Sequence, residues 1–337
     1  MSETIDLKKI PQRILYTGAK MPAVGLGTFG SDKYSPEQIS EAVYGAVKAG
    51  YRLVDCASVY QNEDQIGAVL RSLFDDGVVT REELFITSKV WNDMHGDGEV
   101  IASCKKSLAD LRLDYIDLYF VHWPFPNYHA PGCDGDSRNP NSRPFSVGEF
   151  METWKQCEQL VDMGLVKHIG MSNMTIPKLD AVLPLCTIRP AAIEMELHPS
   201  FQQPELFAYV QAHGIVPIGY CPIGSPSRPE RDRTAEDVAD TEMPEVVRIA
   251  QAHQVHPAIV CLKWAVQNGQ IPIPFSVKEP QYISNLKCCT EDPLTDAEME
   301  TLEKADKNCR LVKGQVFLWP GAKDWTDLWD LDGTITK

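Results

Sequence analysis

Short apolar and β-branched runs alternate with longer amphipathic stretches along nearly the whole chain. The short runs predict eight β-strands, at residues 23–27, 52–55, 84–89, 116–121, 166–171, 191–196, 215–220 and 271–274. The stretches between them predict helices at residues 36–49, 61–75, 98–112, 146–163, 175–183, 203–213, 243–254 and 257–268. Pro36, Pro204 and Pro257 fall where a first helical turn tolerates proline, which supports three of these helix starts.

Eight strands that alternate with helices favour a closed parallel barrel, because each crossover returns the chain to the same end of the sheet. We therefore predict an α/β protein with a single (β/α)8 TIM barrel. A doubly wound open sheet is the alternative. That fold carries a glycine-rich turn after its first strand, and "GLGTFG" places glycines at positions 25, 27 and 30.

Three segments do not fit the plain alternation of strands and helices: residues 124–145, 222–242 and 310–337. They correspond to long loops after strands 4 and 7 and to an extended C-terminal loop. Long loops in compact domains are often functional, and all three would leave the C-terminal face of the barrel. We expect residues 1–337 to form one domain, with the barrel at about 13–310 and a substrate loop at 311–337.

The composition limits the classes of partner. The 337 residues are 43% hydrophobic and 23% charged, and the net charge of -15 would repel a nucleic-acid backbone. The sequence contains neither an apolar run of membrane-spanning length nor a secretory signal, and its ten cysteines lack metal-binding spacing. We expect a cytoplasmic protein with buried thiols that binds neither nucleic acid nor membrane. The oligomeric state stays open.

Four chemically active side chains are predicted at neighbouring strand ends. Asp55 ends the second strand, Lys89 ends the third and His122 follows the fourth, while Tyr60 lies five residues past Asp55. Each residue alone has a structural explanation, such as a helix cap or a solvated rim charge. Because the carboxyl ends of barrel strands meet at one rim, the four side chains together predict a catalytic site.

These four groups suit the protonation of an oxygen atom. A phenol titrates near pH 10 and becomes a better acid when an ammonium group lowers its pKa. Asp55 would keep Lys89 charged and in place beside Tyr60, and His122 would orient a carbonyl oxygen towards the phenol. The pattern predicts proton transfer to oxygen as hydride arrives at carbon.

The segment "GYRLVDCASVYQNEDQIG" resembles the first signature of the aldo-keto reductase family. It matches at Gly50, Arg52, Asp55, Ala57, Glu63, Ile66 and Gly67. The similarity runs from "LYTGAKMPAVGLGTF" to about residue 310. It implies an NAD(P)H-dependent reductase of aldehydes, aldoses included, or of ketones, with Tyr60 as general acid and without a metal.

The resemblance also assigns cofactor contacts: Thr28, Asp55, Ser172, Asn173, Glu194, Tyr220, Ile223, Gly224, Ser225, Arg228, Ser276, Val277, Lys278 and Asn285. Ser172 and Asn173 would bind the carboxamide, and the Tyr220 ring would stack on the nicotinamide. Residues 223–225 would offer backbone N–H groups to the pyrophosphate. Glu194 replaces a glutamine usual in the family, and an ionised glutamate accepts hydrogen bonds without donating any.

At the adenosine end the sequence departs from the family. Phe275 and Gln281 replace a lysine and an arginine that usually bind the 2'-phosphate, which removes two charge-assisted contacts. Glu279 is a candidate to accept from ribose hydroxyl groups instead. Lys278 is a candidate substitute for the lost cations. NADP(H) and NAD(H) both stay open as the cofactor.

The resemblance places Phe29, Trp91, His122 and Trp123 in the substrate pocket, together with aromatic residues of the tail. Asn62 and polar residues of the loop at 124–145 are candidates to bind hydroxylated substrates.

Two other functions compete with carbonyl reduction. One is a weakly catalytic barrel that senses its cofactor. The other is a metal-dependent hydrolase built on "EMELHP", with Glu194, Glu196 and His198 as ligands, although no second histidine stands at ligand spacing.

Overall fold

The structure is a computed structural model that describes residues 5–30, 33–129, 138–224 and 233–337. Its β-strands are β1 (Gln12–Ile14), β2 (Lys20–Pro22), β3 (Leu26–Gly27), β4 (Leu53–Asp55), β5 (Phe85–Val90), β6 (Ile116–Val121), β7 (Val166–Ser172), β8 (Ala192–Glu196), β9 (Val216–Tyr220) and β10 (Ile271–Pro272). Its α-helices are α1 (Pro36–Ala49), α2 (Glu63–Asp75), α3 (Glu99–Leu111), α4 (Val147–Asp162), α5 (Ile176–Val182), α6 (Pro204–Ala212), α7 (Pro244–His253), α8 (Pro257–Gln267), α9 (Glu279–Lys287) and α10 (Asp296–Glu303).

Strands β3 to β10 form one parallel sheet in which each strand pairs with its neighbour in the sequence. The first and last strands are joined by backbone hydrogen bonds from Gly25 N to Pro272 O (3.0 Å) and from Gly27 N to Pro274 O (2.9 Å). The (β/α)8 barrel prediction is confirmed. A doubly wound sheet is wrong, because that fold requires the strand order to reverse.

The glycines of "GLGTFG" have a structural cause at this seam. A Cβ atom on Gly25 would lie 2.5 Å from Ile273 Cδ1, and one on Gly27 would lie 3.2 Å from Ile273 Cγ2. The two positions leave little room for a Cβ atom because the first strand passes close to the chain beyond β10. This close approach accounts for glycine at positions 25 and 27 without a bound phosphate.

The N-terminal end of the barrel is covered by an antiparallel hairpin of β1 and β2. Leu15 and Met21 of this hairpin are buried in one apolar cluster with Leu53, Leu118 and Ile218 from barrel strands. The hairpin was not predicted, because its strands are short and β1 is largely polar.

All eight predicted helices are present, within about two residues at each end. Helices α9 and α10 were not predicted, although Pro280 near the start of α9 and a capping box at Thr295 and Glu298 are helix-start signals. The nine cysteines within the described ranges are free thiols. In those ranges, none of the helices combines the length and apolar content needed to cross a membrane.

Candidate active site

An ion pair between two strand ends forms the centre of the candidate site. Lys89 Nζ on β5 donates to both carboxylate oxygens of Asp55 on β4, at 2.7 and 2.6 Å, and to Cys56 O at 3.0 Å. Thr87 Oγ1 donates to Asp55 Oδ1 at 2.6 Å. Lys89 is fully buried and Asp55 nearly so. Neighbouring parallel strands thus hold a buried ammonium group in one position.

Tyr60 is held beside this pair by contacts on both sides of its turn. Residues 58–60 form a 3-10 turn after β4, in which Ser58 Oγ donates to Lys89 O at 3.0 Å. Just beyond the turn, Asn62 Nδ2 donates to Thr28 O at 2.9 Å. The Lys89 ammonium lies 5.5 Å from the centroid of the Tyr60 ring. The backbone therefore fixes the phenol next to the ammonium group.

His122 completes the predicted set of four side chains. Its ring lies edge-on to the Tyr60 ring, with centroids 5.9 Å apart, and 5.1 Å from the Trp91 ring. Asn173 Nδ2 donates to His122 O at 2.9 Å. His122 Nδ1 is buried and has no hydrogen-bond partner among the described residues. The four strand-end side chains do converge on one rim.

Burial sets the direction of the pKa shift for Tyr60 and His122, whereas neighbouring charges set it for Lys89. It raises the pKa of Tyr60 above the usual value for a phenol, and the charge of Lys89 only opposes that rise. The expected lowering of the Tyr60 pKa is therefore not the net effect, because the sequence could not reveal the strength of desolvation.

Burial and the nearby ammonium lower the pKa of His122 well below 6.5. Asp55 and Glu194 raise the pKa of Lys89 against the effect of burial. At neutral pH the phenol and imidazole are uncharged and the ammonium is charged.

Several predicted cofactor residues join this network at the rim. Thr28 Oγ1 donates to Asp55 O at 2.8 Å. Tyr220 OH donates to Asn173 Oδ1 at 2.6 Å, and Asn173 Nδ2 also donates to Ser172 Oγ at 3.2 Å. With both its amide oxygen and its amide nitrogen engaged, Asn173 has a fixed orientation. These side chains form one connected group with the four central residues.

Glu194 on β8 reaches the same centre. Its Oε2 atom is 3.5 Å from Lys89 Nζ and accepts no regular hydrogen bond from any residue in the described ranges. The side chain is buried, with a relative exposure of 3%. Burial raises the pKa of Glu194 to about 8; the charge of Asp55 adds to the rise and that of Lys89 opposes it.

The predicted adenosine-binding residues form a second group around the start of α9. Ser276 Oγ donates to Gln281 Oε1 at 2.7 Å and accepts from Lys278 N at 3.0 Å. Phe275 packs on Tyr34 instead of offering a cation, with ring centroids 5.7 Å apart. Lys278 is exposed, Val277 is half-buried and Asn285 is nearly buried.

The predicted pyrophosphate loop is described only in part. Ile223 packs against the core, and Gly224 has a φ of +69°, with Asp240 side-chain atoms 3.0 Å from where its Cβ would lie. This conformation and close contact account for the glycine. Ser225 and Arg228 lie outside the described residues.

Aromatic side chains surround the opening above Tyr60 and His122. Phe29 lies 5.2 Å from the Tyr60 ring, and Trp123 lies 4.5 Å from the Phe317 ring of the tail. His129 was missed by sequence reasoning, yet its ring is 5.7 Å from that of Trp91 and 5.4 Å from that of Phe317. No sequence signal marks His129, because its position depends on how the long loop meets the tail.

One buried asparagine links the long loop to the tail through hydrogen bonds. Asn127 Nδ2 donates to Phe317 O at 2.9 Å and to Arg143 O at 2.8 Å. Asn92, after β5, donates to Asn127 O. The loops after β5 and β6 and the tail are thereby joined above the barrel.

The hydrolase alternative requires Glu194, Glu196 and His198 to bind one metal ion together, but these side chains contact other groups. His198 Nε2 is 2.9 Å from Glu196 Oε1, and His198 Nδ1 is 2.9 Å from Asp240 Oδ2. All three side chains are fully buried. Glu194 instead faces Lys89. In the described part of the chain, no group of three or more histidine, cysteine or carboxylate residues is arranged to hold a metal ion.

Comparison with known proteins agrees with this geometry. A model of the Aldo/keto reductase family matches residues 23–307. The chain is 38% identical over 317 residues to an aldo/keto reductase from Synechocystis sp., covering 94% of this chain and 95% of that protein. It is 39% identical over 300 residues to aldo-keto reductase family 1 member A1 from Xenopus tropicalis, covering 88% and 89%. The crystal structure of a Bombyx mori aldo-keto reductase in complex with NADP matches with a TM-score of 0.78 at 31% identity, covering 90% of this chain and 95% of that one. The chain belongs to the aldo/keto reductase family.

Proposed function

We propose that this protein reduces aldehydes or ketones to alcohols with a nicotinamide cofactor, and that Tyr60 is the general acid. The observation that carries the proposal is the convergence of Tyr60, His122 and the buried Asp55–Lys89 pair on one rim. Family membership supports an NAD(P)-dependent oxidoreductase. The arrangement supports proton donation to a carbonyl oxygen.

Each of the four residues has a defined part in that step. The raised pKa of Tyr60 keeps the phenol protonated at neutral pH, so the proton to be donated is present. When the proton leaves, Lys89 stabilises the phenolate with its charge. Asp55 holds Lys89 in place through two hydrogen bonds. The neutral imidazole of His122 has one N–H to donate to the substrate oxygen.

The residues at the rim fit a nicotinamide carboxamide. The Ser172 hydroxyl and the Glu194 carboxyl group, whose Oε2 atom accepts no regular hydrogen bond from the described residues, offer a donor and an acceptor to an amide. Tyr220 is half-buried, so part of its ring stays accessible for stacking. The cofactor supplies the hydride when bound, and these side chains orient it.

We infer that substrates with apolar or aromatic groups suit the pocket better than aldoses. Phe29, Trp91, Trp123 and Phe317 provide aromatic walls. Asn62, one of the polar candidates from the sequence, has a relative exposure of 1%, so its side chain is buried away from a sugar hydroxyl; its amide nitrogen donates to Thr28 O. Comparison of kcat/KM for benzaldehyde and for xylose tests this inference.

The adenosine end supports efficient use of NADH. Phe275 packs on Tyr34, and Gln281 is hydrogen-bonded to Ser276, so neither position offers a cation to a 2'-phosphate. The decisive measurement on the wild-type protein is kcat/KM for NADH and for NADPH with one aldehyde at saturation. A strong preference for NADPH would contradict NADH use and would favour Lys278 as the phosphate ligand.

The variant Tyr60→Phe tests the general acid. We expect its kcat for aldehyde reduction to fall by about 10²–10⁴-fold, because the phenol proton is lost while the aromatic ring remains. The dissociation constant for the cofactor, measured by quenching of tryptophan fluorescence, should change little.

The matched control is Tyr44→Phe, which removes an exposed phenol bonded to Asp76 and should leave kcat unchanged. Near-normal turnover by Tyr60→Phe would overturn the assignment of the acid. Cofactor binding by the wild-type protein without turnover of any aldehyde or ketone would instead favour the cofactor-sensing alternative.

A further inference from the structure

Glu194 occupies an unusual position for a carboxyl group. An ammonium group has three protons to donate, and Lys89 directs them to the two oxygens of Asp55 and to Cys56 O. Glu194 Oε2, 3.5 Å from Lys89 Nζ, is therefore left without a short hydrogen bond from it. Asp55 and Lys89 already neutralise each other, so ionised Glu194 would place an additional negative charge in a buried site. The site favours the protonated carboxyl group.

The other titratable groups around Glu194 are held in fixed charge states near neutral pH. Burial raises the pKa values of Tyr60, next to β4, and of Tyr220, on β9, so both stay neutral. His122, after β6, is kept neutral by its lowered pKa. Glu196, two residues along β8, is paired with a buried histidine that lowers its pKa against the effect of burial. Burial raises the pKa of Glu194 to about 8, so this carboxyl group can change its charge near neutral pH.

We propose that Glu194 couples a proton to the redox state of the bound nicotinamide cofactor, being protonated with the reduced form and ionised with the oxidised form. The inference rests on the proposed function, which places the nicotinamide beside Ser172, Glu194 and Tyr220. The oxidised nicotinamide ring carries a positive charge and the reduced ring carries none. An ionised carboxylate next to the ring attracts only the oxidised form, and in a buried site that attraction is weakly screened.

The coupling has a defined consequence for affinity. Binding of the oxidised cofactor releases the Glu194 proton, whereas binding of the reduced cofactor retains it. By linkage, rising pH must then strengthen binding of the oxidised form relative to the reduced form. A glutamine at this position would bind the carboxamide without this pH dependence.

The experiment measures dissociation constants for NAD⁺ and NADH, and for NADP⁺ and NADPH, by tryptophan fluorescence between pH 6.5 and 9.5. We expect the oxidised-to-reduced ratio of the dissociation constants to fall by about tenfold or more over this range. Within each pair the phosphate groups are common to both forms, so their titration cancels in the ratio. Glu194→Gln should make the ratio independent of pH.

Calorimetry provides a second readout that does not depend on turnover. Titration of the oxidised cofactor at pH 8 in two buffers with different ionisation enthalpies should show proton release by the wild-type protein and none by Glu194→Gln. The control Glu245→Gln changes another carboxylate with an unbonded oxygen among the described residues, on α7, and should behave as wild type.

The outcomes separate this inference from the proposed function. A wild-type protein that reduces aldehydes but shows a flat ratio would overturn the inference alone. The same slope in Glu194→Gln as in wild type would also overturn it. Absence of binding by either redox form to the wild-type protein would overturn the proposed function and the inference together.

Discussion

Two side chains at the proposed adenosine end offer no charge to a 2'-phosphate. Phe275 packs on Tyr34, and Gln281 accepts a hydrogen bond from Ser276. Both positions adjoin the start of α9, where Lys278 is exposed. Gln281 is exposed as well. Under the proposed function, we therefore expect these two positions to influence cofactor preference.

The double variant Phe275→Lys with Gln281→Arg should shift preference towards NADPH. Hydrogen bonds to charged groups contribute about 1.5–3 kcal/mol each, so we expect the NADPH-to-NADH ratio of kcat/KM to rise by about tenfold or more. The ratio is measured with one aldehyde at saturation.

The matching control adds a positive charge elsewhere. Gln251→Lys, at an exposed position on α7, should leave the ratio unchanged. An unchanged ratio in the double variant would show that the adenosine end is recognised by other residues. Loss of NADPH use in Lys278→Ala would then identify Lys278 as the ligand.

Among the structural elements, the C-terminal tail is held to the barrel by a buried ion pair. Lys178 Nζ on α5 donates to Asp330 Oδ2 and to Leu328 O (2.9 Å), and Thr175 Oγ1 donates to Asp330 at 2.5 Å. Trp329 Nε1 donates to the backbone of the same tail, at Lys313 O (2.9 Å). These contacts hold Trp329 against Trp123, with ring centroids 5.6 Å apart.

Asp330→Asn should loosen this tail. The change leaves the buried Lys178 ammonium without a counter-charge, a loss of about 3–5 kcal/mol in pairs of this kind. Residue 330 has a positive φ of 51°, which asparagine tolerates. The substitution therefore adds no backbone strain, and any loosening of the tail comes from the lost charge. We expect faster amide hydrogen exchange in residues 310–337 and a several-fold higher KM for aromatic aldehydes.

The neighbouring variant Asp332→Asn is the control for this experiment. Asp332 is exposed and bonds only within its own turn, to Thr334, in the hydrogen bonds of the described residues. Its exchange pattern and KM should match those of wild type. Unchanged exchange in Asp330→Asn would mean that aromatic packing alone holds the tail.

The sequence correctly predicts the strands and helices in which hydrophobic residues recur with a clear period. The eight strands and eight helices around the barrel alternate in hydrophobicity, so the closed topology followed from the pattern. The strands of the β1–β2 hairpin are too short to show such a period, and α9 and α10 are short, largely polar helices that bury few side chains. Their positions are decided by tertiary contacts, such as the packing of Met21 into the barrel end.

The sequence predicts which residues lie at the site better than it predicts their charge states and contacts. Asp55, Tyr60, Lys89 and His122 follow from strand ends and from a family signature. The role of Glu194 and the net pKa of Tyr60 depend on burial and on the number of protons that Lys89 can donate, neither of which can be read from spacing. Contacts between distant loops, such as that of His129 with Phe317, have no local signal.

Across the whole molecule, one buried network ties three distant parts of the chain together. His198, just past β8, lies between Glu196 and Asp240, and Asp240 belongs to the segment before α7. Glu196 also accepts from the backbone N–H groups of Leu311 (2.6 Å) and Val312 (2.9 Å), at the start of the tail. The stability of barrel, loop and tail is therefore linked to the protonation of one histidine.

Asp240→Asn should destabilise the protein in a pH-dependent way. Burial alone would lower the pKa of His198, but Asp240 and Glu196 raise it from 6.5 to about 9. The folded state thus holds an extra proton between these values, and the stabilisation is complete below pH 6.5 and disappears as pH rises through 9. The difference in free energy of unfolding between wild type and Asp240→Asn, from urea titrations, should be about 1–3 kcal/mol at pH 6 and should shrink by pH 9.5.

Asp292→Asn, which removes the exposed partner of His253, should change stability by less than about 1 kcal/mol. A difference that stays constant from pH 6 to 9.5 would show that Asp240 acts through its shape and hydrogen bonds, and not through the charge of His198.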